Sequence, residues 1–149
     1  MKLEEEIHQA HFRNPHHKVF INIWFTSGWL YARNVAWLKQ FGLTPEQFNV
    51  LRILRGTHPQ PVKLADITAR MINRNSNASR LVDKLVQKNL AKRTVCKTSK
   101  RQVDISITEK GLRLLEKIDA SQPVWQLLQK KISAREAEIL NQLLDAIRS

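Results

Sequence analysis

The amino-acid sequence predicts a mainly α, α+β chain, and three observations carry that prediction. Four Gly and five Pro among 149 residues are few enough to punctuate helices rather than break them up. Ala78, Leu81, Val82, Leu85 and Val86 recur at i, i+3, i+4, i+7 and i+8, the spacing of a helix with one apolar face. After Asn89 the apolar period falls to 2, with Val103, Ile105 and Ile107 alternating with Asp104 and Ser106 as strand residues do.

The elements follow in order. A long helix is expected from about Pro15 to Phe41, with Val19, Phe20, Ile23, Trp24, Ala32, Val35, Ala36 and Leu38 at its apolar positions and Gly42 closing it. Thr44-Pro45-Glu46-Gln47 opens a second helix: Thr44 as N-cap, Pro45 at the first helical position, and Gln47 placed to reach back to the cap. Phe48, Val50, Leu51, Ile53 and Leu54 form its buried side, and Gly56 with His58-Pro59-Gln60-Pro61 ends it. A short third helix, roughly Val62 to Ile72, buries Leu64, Ala65, Ile67 and Ile72, and the polar turn Asn73-Arg74-Asn75 follows. The fourth helix, Ser76 to Lys88, sets its apolar stripe against Ser76, Asn77, Ser79, Arg80, Asp83, Lys84 and Gln87. Asn89 ends it, since asparagine tolerates the left-handed conformation second best to glycine.

Two strands come next, Thr94 to Cys96 and Val103 to Ile107, joined by a tip, Lys97-Thr98-Ser99-Lys100-Arg101, with three cations and no glycine. Thr108 caps a further helix that buries Leu112, Leu114, Leu115 and Ile118, and Pro123 breaks it. Ser133 and Glu136 make a capping box for a last helix carrying Ile139, Leu140, Leu143, Leu144 and Ile147.

Charge narrows the function. The chain carries a formal net charge of +12, and such an excess in a small chain points to a polyanionic partner, nucleic acid before membrane surface. Between Arg70 and Arg101 ten basic residues face Asp83 alone, a net +9, which leaves +3 for the remaining residues. That segregation favours one phosphate-binding face over scattered solvated charge. A single cysteine, Cys96, excludes an internal disulfide framework and a cysteine-rich zinc cluster. The stretch from Val19 to Leu38 is interrupted by Asn22, Thr26, Ser27, Arg33 and Asn34, so no membrane span is expected. Glu4, Glu5 and Glu6 at the start are unlike a signal peptide, and a cytoplasmic location is expected. No nucleophile elbow, phosphate loop or carboxylate pair appears at useful spacing, so no enzyme and no cofactor are expected.

Two short helices, the second with a polar outer face, followed by a basic-tipped hairpin make a winged helix-turn-helix with a two-stranded β wing. A helix in the major groove lets Asn, Ser and Arg reach base edges, while the hairpin reaches phosphates and the neighbouring minor groove.

Leu64-Ala65-Asp66-Ile67, Ser79-Arg80-Leu81-Val82-Asp83-Lys84-Leu85, Asn89-Leu90-Ala91-Lys92-Arg93, Ser99-Lys100-Arg101 and Ile107-Thr108-Glu109-Lys110-Gly111, in that order and at those spacings, resemble the MarR family of bacterial transcription regulators. The likeness runs from about Leu43 to Ile118, with long helices on both sides. It departs from the family pattern twice, with Asn89 for the usual glycine after the recognition helix and Ser99 for the usual wing acid, while the wing arginine is kept as Arg101. The resemblance implies a homodimer on a pseudo-palindromic operator in double-stranded DNA, and release when a small-molecule effector binds between the DNA-binding and dimerisation regions.

On that basis residues 1–149 form one domain, with a DNA-binding lobe at 43–118 and dimerisation helices at about 5–40 and 124–148. Asn75, Ser76, Asn77, Ser79 and Arg80 would meet the major groove or adjacent phosphates, with Arg74 and Lys84 as phosphate clamps and Lys97, Ser99, Lys100 and Arg101 as wing contacts. An effector pocket lined by Phe20, Trp24 and Trp29 competes with a reading of these aromatics as core and dimer contacts. His8, His11, His16 and His17 match a metal-ligand set in composition only, and no metal is expected. Cys96 reads as a packed or half-exposed thiol before a redox sensor. The competing class is a winged-helix module for RNA or protein binding without operator specificity.

Overall fold

The computed structural model describes residues 2–95 and 103–149. Local signals place most helix ends. After a short turn of helix, α1 (Leu3–Glu6), the long α2 (Pro15–Lys39) starts where the Asn14 side chain accepts the His17 N–H at 2.9 Å. It stops at Gly42, whose φ of +67° lets the Leu43 N–H close back on the Leu38 carbonyl at 3.2 Å. The Thr44–Gln47 capping box then opens α3 (Pro45–Thr57), with both reciprocal bonds at 3.2 Å.

The next segment departs from expectation. Val62 does not begin a helix; Val62–Lys63 form a strand, β1, and α4 (Leu64–Arg70) follows with Lys63 still extended as its N-cap. Val62 pairs with Ile105 and buries its β-branched side chain, so the expected two-stranded wing is joined by a third strand. α4 also ends early. Met71 turns extended and takes the inward place at 4% exposure, while Ile72, expected in the core, is 89% exposed. Ala65 is exposed as well. Once the helix stops at Arg70, the 3.6-residue repeat no longer decides which side chain faces in.

α5 (Ala78–Gln87) begins two residues later than the sequence pattern suggested, because the Asn77 side chain accepts the Arg80 N–H at 3.0 Å and fixes the cap there. It ends at Asn89, with φ +58° and the Leu90 N–H on the Leu85 carbonyl at 2.9 Å. β2 (Ala91–Val95) and β3 (Val103–Ile107) complete an antiparallel sheet in the order β1-β3-β2, with Ala91 opposite Ile107 and Val95 opposite Val103. α6 (Glu109–Asp119) is capped by Thr108, and α7 (Gln126–Gln129) follows Pro123. α8 (Ala134–Arg148) starts at the Ser133–Glu136 capping box, where the Ser133 N–H holds the Glu136 carboxyl below its ordinary pKa.

One core gathers Leu38 from the end of α2, Val50, Leu51 and Leu54 from α3, Ile67 from α4, Val82 and Leu85 from α5, Ile105 from β3, and Leu115 and Ile118 from α6. Phe48, Leu81, Val86, Leu112 and Leu114 pack around its edge. The terminal helices contrast with it. Val19, Phe20, Ile23 and Trp24 on α2, and Ile139, Leu140, Leu143 and Ile147 on α8, are exposed in the single chain.

Gly111 marks the tightest approach. A Cβ there would lie 2.4 Å from the Leu90 carbonyl oxygen and 2.7 Å from Ile107 Cγ1, so α6 packs against the end of α5 and β3 only without a side chain. Gly111→Ala should destabilise by about 1–3 kcal/mol through overpacking. Gly56→Ala, on an exposed helical position with nothing within 4 Å, should stabilise by about 0.5–1 kcal/mol. Urea unfolding at fixed protein concentration reads both, and equal signs for the two changes would contradict this packing.

Candidate nucleic-acid interface

The structure places the predicted recognition residues on α5 and the loop before it. Arg74 and Asn75 are exposed in that loop, Ser76 is half-buried, and Asn77 has its carboxamide oxygen committed to the cap. On α5 itself Arg80 and Lys84 are exposed one turn apart and therefore on one face, while Val82 and Leu85 point into the core. Lys97, Ser99, Lys100 and Arg101, with Cys96, lie outside the described residues.

Arg93, which the sequence offered only as part of a motif, has a role of its own here. From β2 its guanidinium contacts Asp83 Oδ1 at 2.9 Å and donates to the Ser79 carbonyl at 3.2 Å and Ser79 Oγ at 3.4 Å. It therefore braces the base of the wing against α5. It also pairs with Asp83, the one acid in the basic window, beside the exposed cations Arg80 and Lys84. The signal was present in the sequence: a lone acid among ten bases needs a counter-ion. Both partners are partly exposed, so the brace contributes direction more than stability.

The other end of α5 is held by α6. Lys110 Nζ donates to the Lys88 carbonyl at 3.0 Å, and the Thr108 hydroxyl donates to the Asn89 carbonyl at 2.7 Å. These two bonds satisfy carbonyls that the helix terminus leaves without internal partners.

Two recesses bear on the expected effector pocket. Trp24 and Trp29 line a shallow apolar groove of about 510 Å³ on α2, together with Ile7, Ile21, Phe25 and Gly28. Phe20 lies outside it, 61% exposed and 6.1 Å from the Trp24 ring between centroids. The Arg33 guanidinium covers the Trp29 ring at 4.0 Å, a cation–π contact. A larger cavity of about 720 Å³ opens between α2, α3, α6 and α7, with Leu30, Trp37, Phe48 and Trp125 among its apolar walls. Its charged side is Arg55 on Asp119 at 2.6 Å and Arg52 on the same carboxylate at 3.6 Å. Two guanidiniums share one carboxylate, which leaves a positive excess in an apolar recess. No motif or periodicity in the sequence marks Arg52, Arg55 or Asp119. Among the described residues no group of three or more His, Cys, Asp or Glu is placed to hold a metal ion, and no helix is long and apolar enough to cross a membrane.

Comparison with known proteins assigns the fold. A family model described as the MarR family matches residues 43–103. The HTH-type transcriptional regulator MhqR of Bacillus subtilis (strain 168) is 30% identical over 112 residues, 74% of this chain and 75% of that protein. The chain belongs to the MarR family. It is thus a transcription regulator and not an enzyme. Among solved MarR structures, a transcription factor from Planctomyces limnophilus is 28% identical, with a TM-score of 0.67 and coverage of 93% of this chain and 98% of that one. The S. aureus MepR–DNA complex shares the fold at a TM-score of 0.74 and 24% identity, covering 85% of this chain and 93% of that one.

In this MarR protein α2 is also tied to the start of α3. The Tyr31 phenol donates to Glu46 Oε1 at 2.9 Å, and that bond, then partial burial, raise the phenol pKa above its ordinary value. The contribution of the tie is complete below the unfolded tyrosine pKa of about 10 and is lost as pH rises through the folded value. Titration of the chain's single tyrosine should give a midpoint above about 10, and Glu46→Ala should lower it. A midpoint at or below the ordinary value in the unaltered protein would contradict the bond.

Proposed function

We propose that this MarR regulator binds duplex DNA as a homodimer, with the Arg80–Lys84 face of α5 in the major groove and the wing on flanking phosphates. The observation that carries the proposal is that face. Arg74, Arg80 and Lys84 are exposed together, and Arg93 holds the neighbouring Asp83. A polyanion is the partner such a face fits, and the shared fold of MepR, which was solved with DNA, supports duplex DNA over RNA or protein. Residues 43–118 would be the DNA-binding lobe and about 5–40 and 124–148 the dimerisation helices, since the exposed apolar residues of α2 and α8 need a cover. Lys97, Ser99, Lys100 and Arg101 would supply the wing contacts, and a cytoplasmic location follows from a genomic target. The cavity beside Arg52, Arg55 and Asp119 suits a small aromatic anion better than the groove at Trp24 and Trp29, which lacks a paired cation cluster.

Selection of bound duplexes from a random pool should return a two-fold symmetric motif whose half-site centres lie about 34–36 Å apart. Arg80→Ala should weaken the selected operator more than unrelated duplex, by about 1–3 kcal/mol of discrimination. Arg101→Ala should weaken both alike and flatten the salt dependence by about one unit per subunit. Equal or tighter binding of single-stranded or structured RNA would overturn the reading, as would a monomer at micromolar concentration by sedimentation. Salicylate, if it occupies the cavity, should shift operator affinity by about fivefold or more, and Arg55→Met should remove that shift.

A further inference from the structure

The charge of Lys88 lies within the basic window, yet its ammonium faces the protein. Lys88 is the C-cap of α5, and its Nζ donates to the Gly42 carbonyl and lies 3.4 Å from Gln47 Oε1. Gly42 ends the turn that follows α2. Gln47 lies in the first turn of α3, is 7% exposed, and uses the same oxygen to accept the Thr44 N–H. One ammonium therefore joins three helix ends, two of them C-terminal ends whose carbonyl dipoles favour a cation.

We propose that Lys88 is a positioning residue for DNA recognition, locking the C-terminal end of α5 to the end of α2 and the start of α3 and so setting the tilt at which α5 meets the duplex. The proposal rests on the DNA-binding reading above. The buried stripe of Ala78, Val82 and Leu85 decides which face of α5 turns inward, and the tie at Lys88 adds to that packing a polar constraint on the tilt of the C-terminal end. α5 has ten residues, hence a length of about 15 Å, so a rotation of about ten degrees at Lys88 moves the Asn77 end by about 2.6 Å. A shift of that size breaks hydrogen bonds, whose useful range is about 2.7–3.2 Å. The helices joined at this point, α2, α3 and, through Lys110, α6, are three of the four that line the larger cavity, whereas α5 does not reach it. The end of α5 is thus where a change in that cavity would be passed to the recognition helix.

The test compares Lys88→Met, Gln47→Met and the double variant in the full chain. Gln47→Met keeps volume at a buried site that cannot touch DNA. Lys88→Met should lower affinity for the selected operator by about tenfold while leaving an unrelated duplex within about twofold. Gln47→Met, which keeps the Gly42 contact but also frees the Thr44 N–H, should lower it in the same direction, and the double should fall short of the sum of the two, because both loosen the same tie. Lys88→Arg should retain most of the operator affinity. In the free protein both Met variants should speed amide hydrogen exchange at residues 85–90. If Lys88→Met weakens both duplexes alike and flattens the salt slope by about one unit per subunit, Lys88 is a phosphate contact and the proposal falls. Additive effects, or unchanged exchange at 85–90, overturn it equally. If the unaltered protein prefers no duplex, the DNA reading fails instead, and the exchange measurement then decides the tie by itself.

Discussion

The way α5 is held determines the rest of this protein's outward chemistry. Its inner stripe, Val82 and Leu85, is wholly buried where α5 packs against α3, α4 and β2, and each such side chain contributes about 1.5–3 kcal/mol by leaving water. That burial lets the opposite face carry cations that would repel one another in a less anchored segment. The two ends are fixed by different means. Asn77 caps the first turn with its own side chain, while Asn89 turns the chain left-handed and hands it to β2.

The basic residues of the window divide into two groups once the tertiary structure is considered. Arg93 and Lys88 turn inward onto Asp83, Ser79, Gly42 and Gln47, and just beyond the window Lys110 turns onto the Lys88 carbonyl. Arg74, Arg80 and Lys84 point to solvent. The inward group acts at short range on helix termini and a lone acid, where salt screens less. The outward group has no protein partner among the described residues and therefore acts on whatever anion approaches, with a strength that falls as ionic strength rises. A net charge counted from the sequence mixes the two.

Apolar surface is divided as sharply as charge. The core draws on residues from Leu38 to Ile118, whereas α8 has no buried residue and α2 has only Leu38. Contiguous apolar faces of this extent mark contact surfaces rather than ordinary surface scatter. The Arg55–Asp119 pair and the Trp37 Nε1 bond to Ser121 Oγ at 3.0 Å link the compact lobe to the segments leading into the terminal helices. The larger cavity lies beside these same links.

Much of this was legible in the sequence because it depends on neighbours within about four positions. The caps at Thr44, Thr108 and Ser133 and the left-handed turns at Gly42 and Asn89 are settled by side chains and backbone that meet whatever the rest of the chain does. The amphipathic stripe of α5 is likewise a property of spacing, and together with the basic window it pointed to a phosphate-binding face, whereas the likeness to the family rested on the ordered motifs from Leu64 to Gly111. What only the tertiary structure decided depends on distant partners. Val62 became a strand because Ile105 lay beside it, and Met71 replaced Ile72 in the core because α4 ended two residues sooner. Arg55 meets Asp119 across 64 positions and Lys88 meets Gln47 across 41, so neither pairing leaves a periodic trace in the chain. A cap costs little entropy to close and is written locally, whereas a long-range contact is chosen by the packing that brings its two halves together.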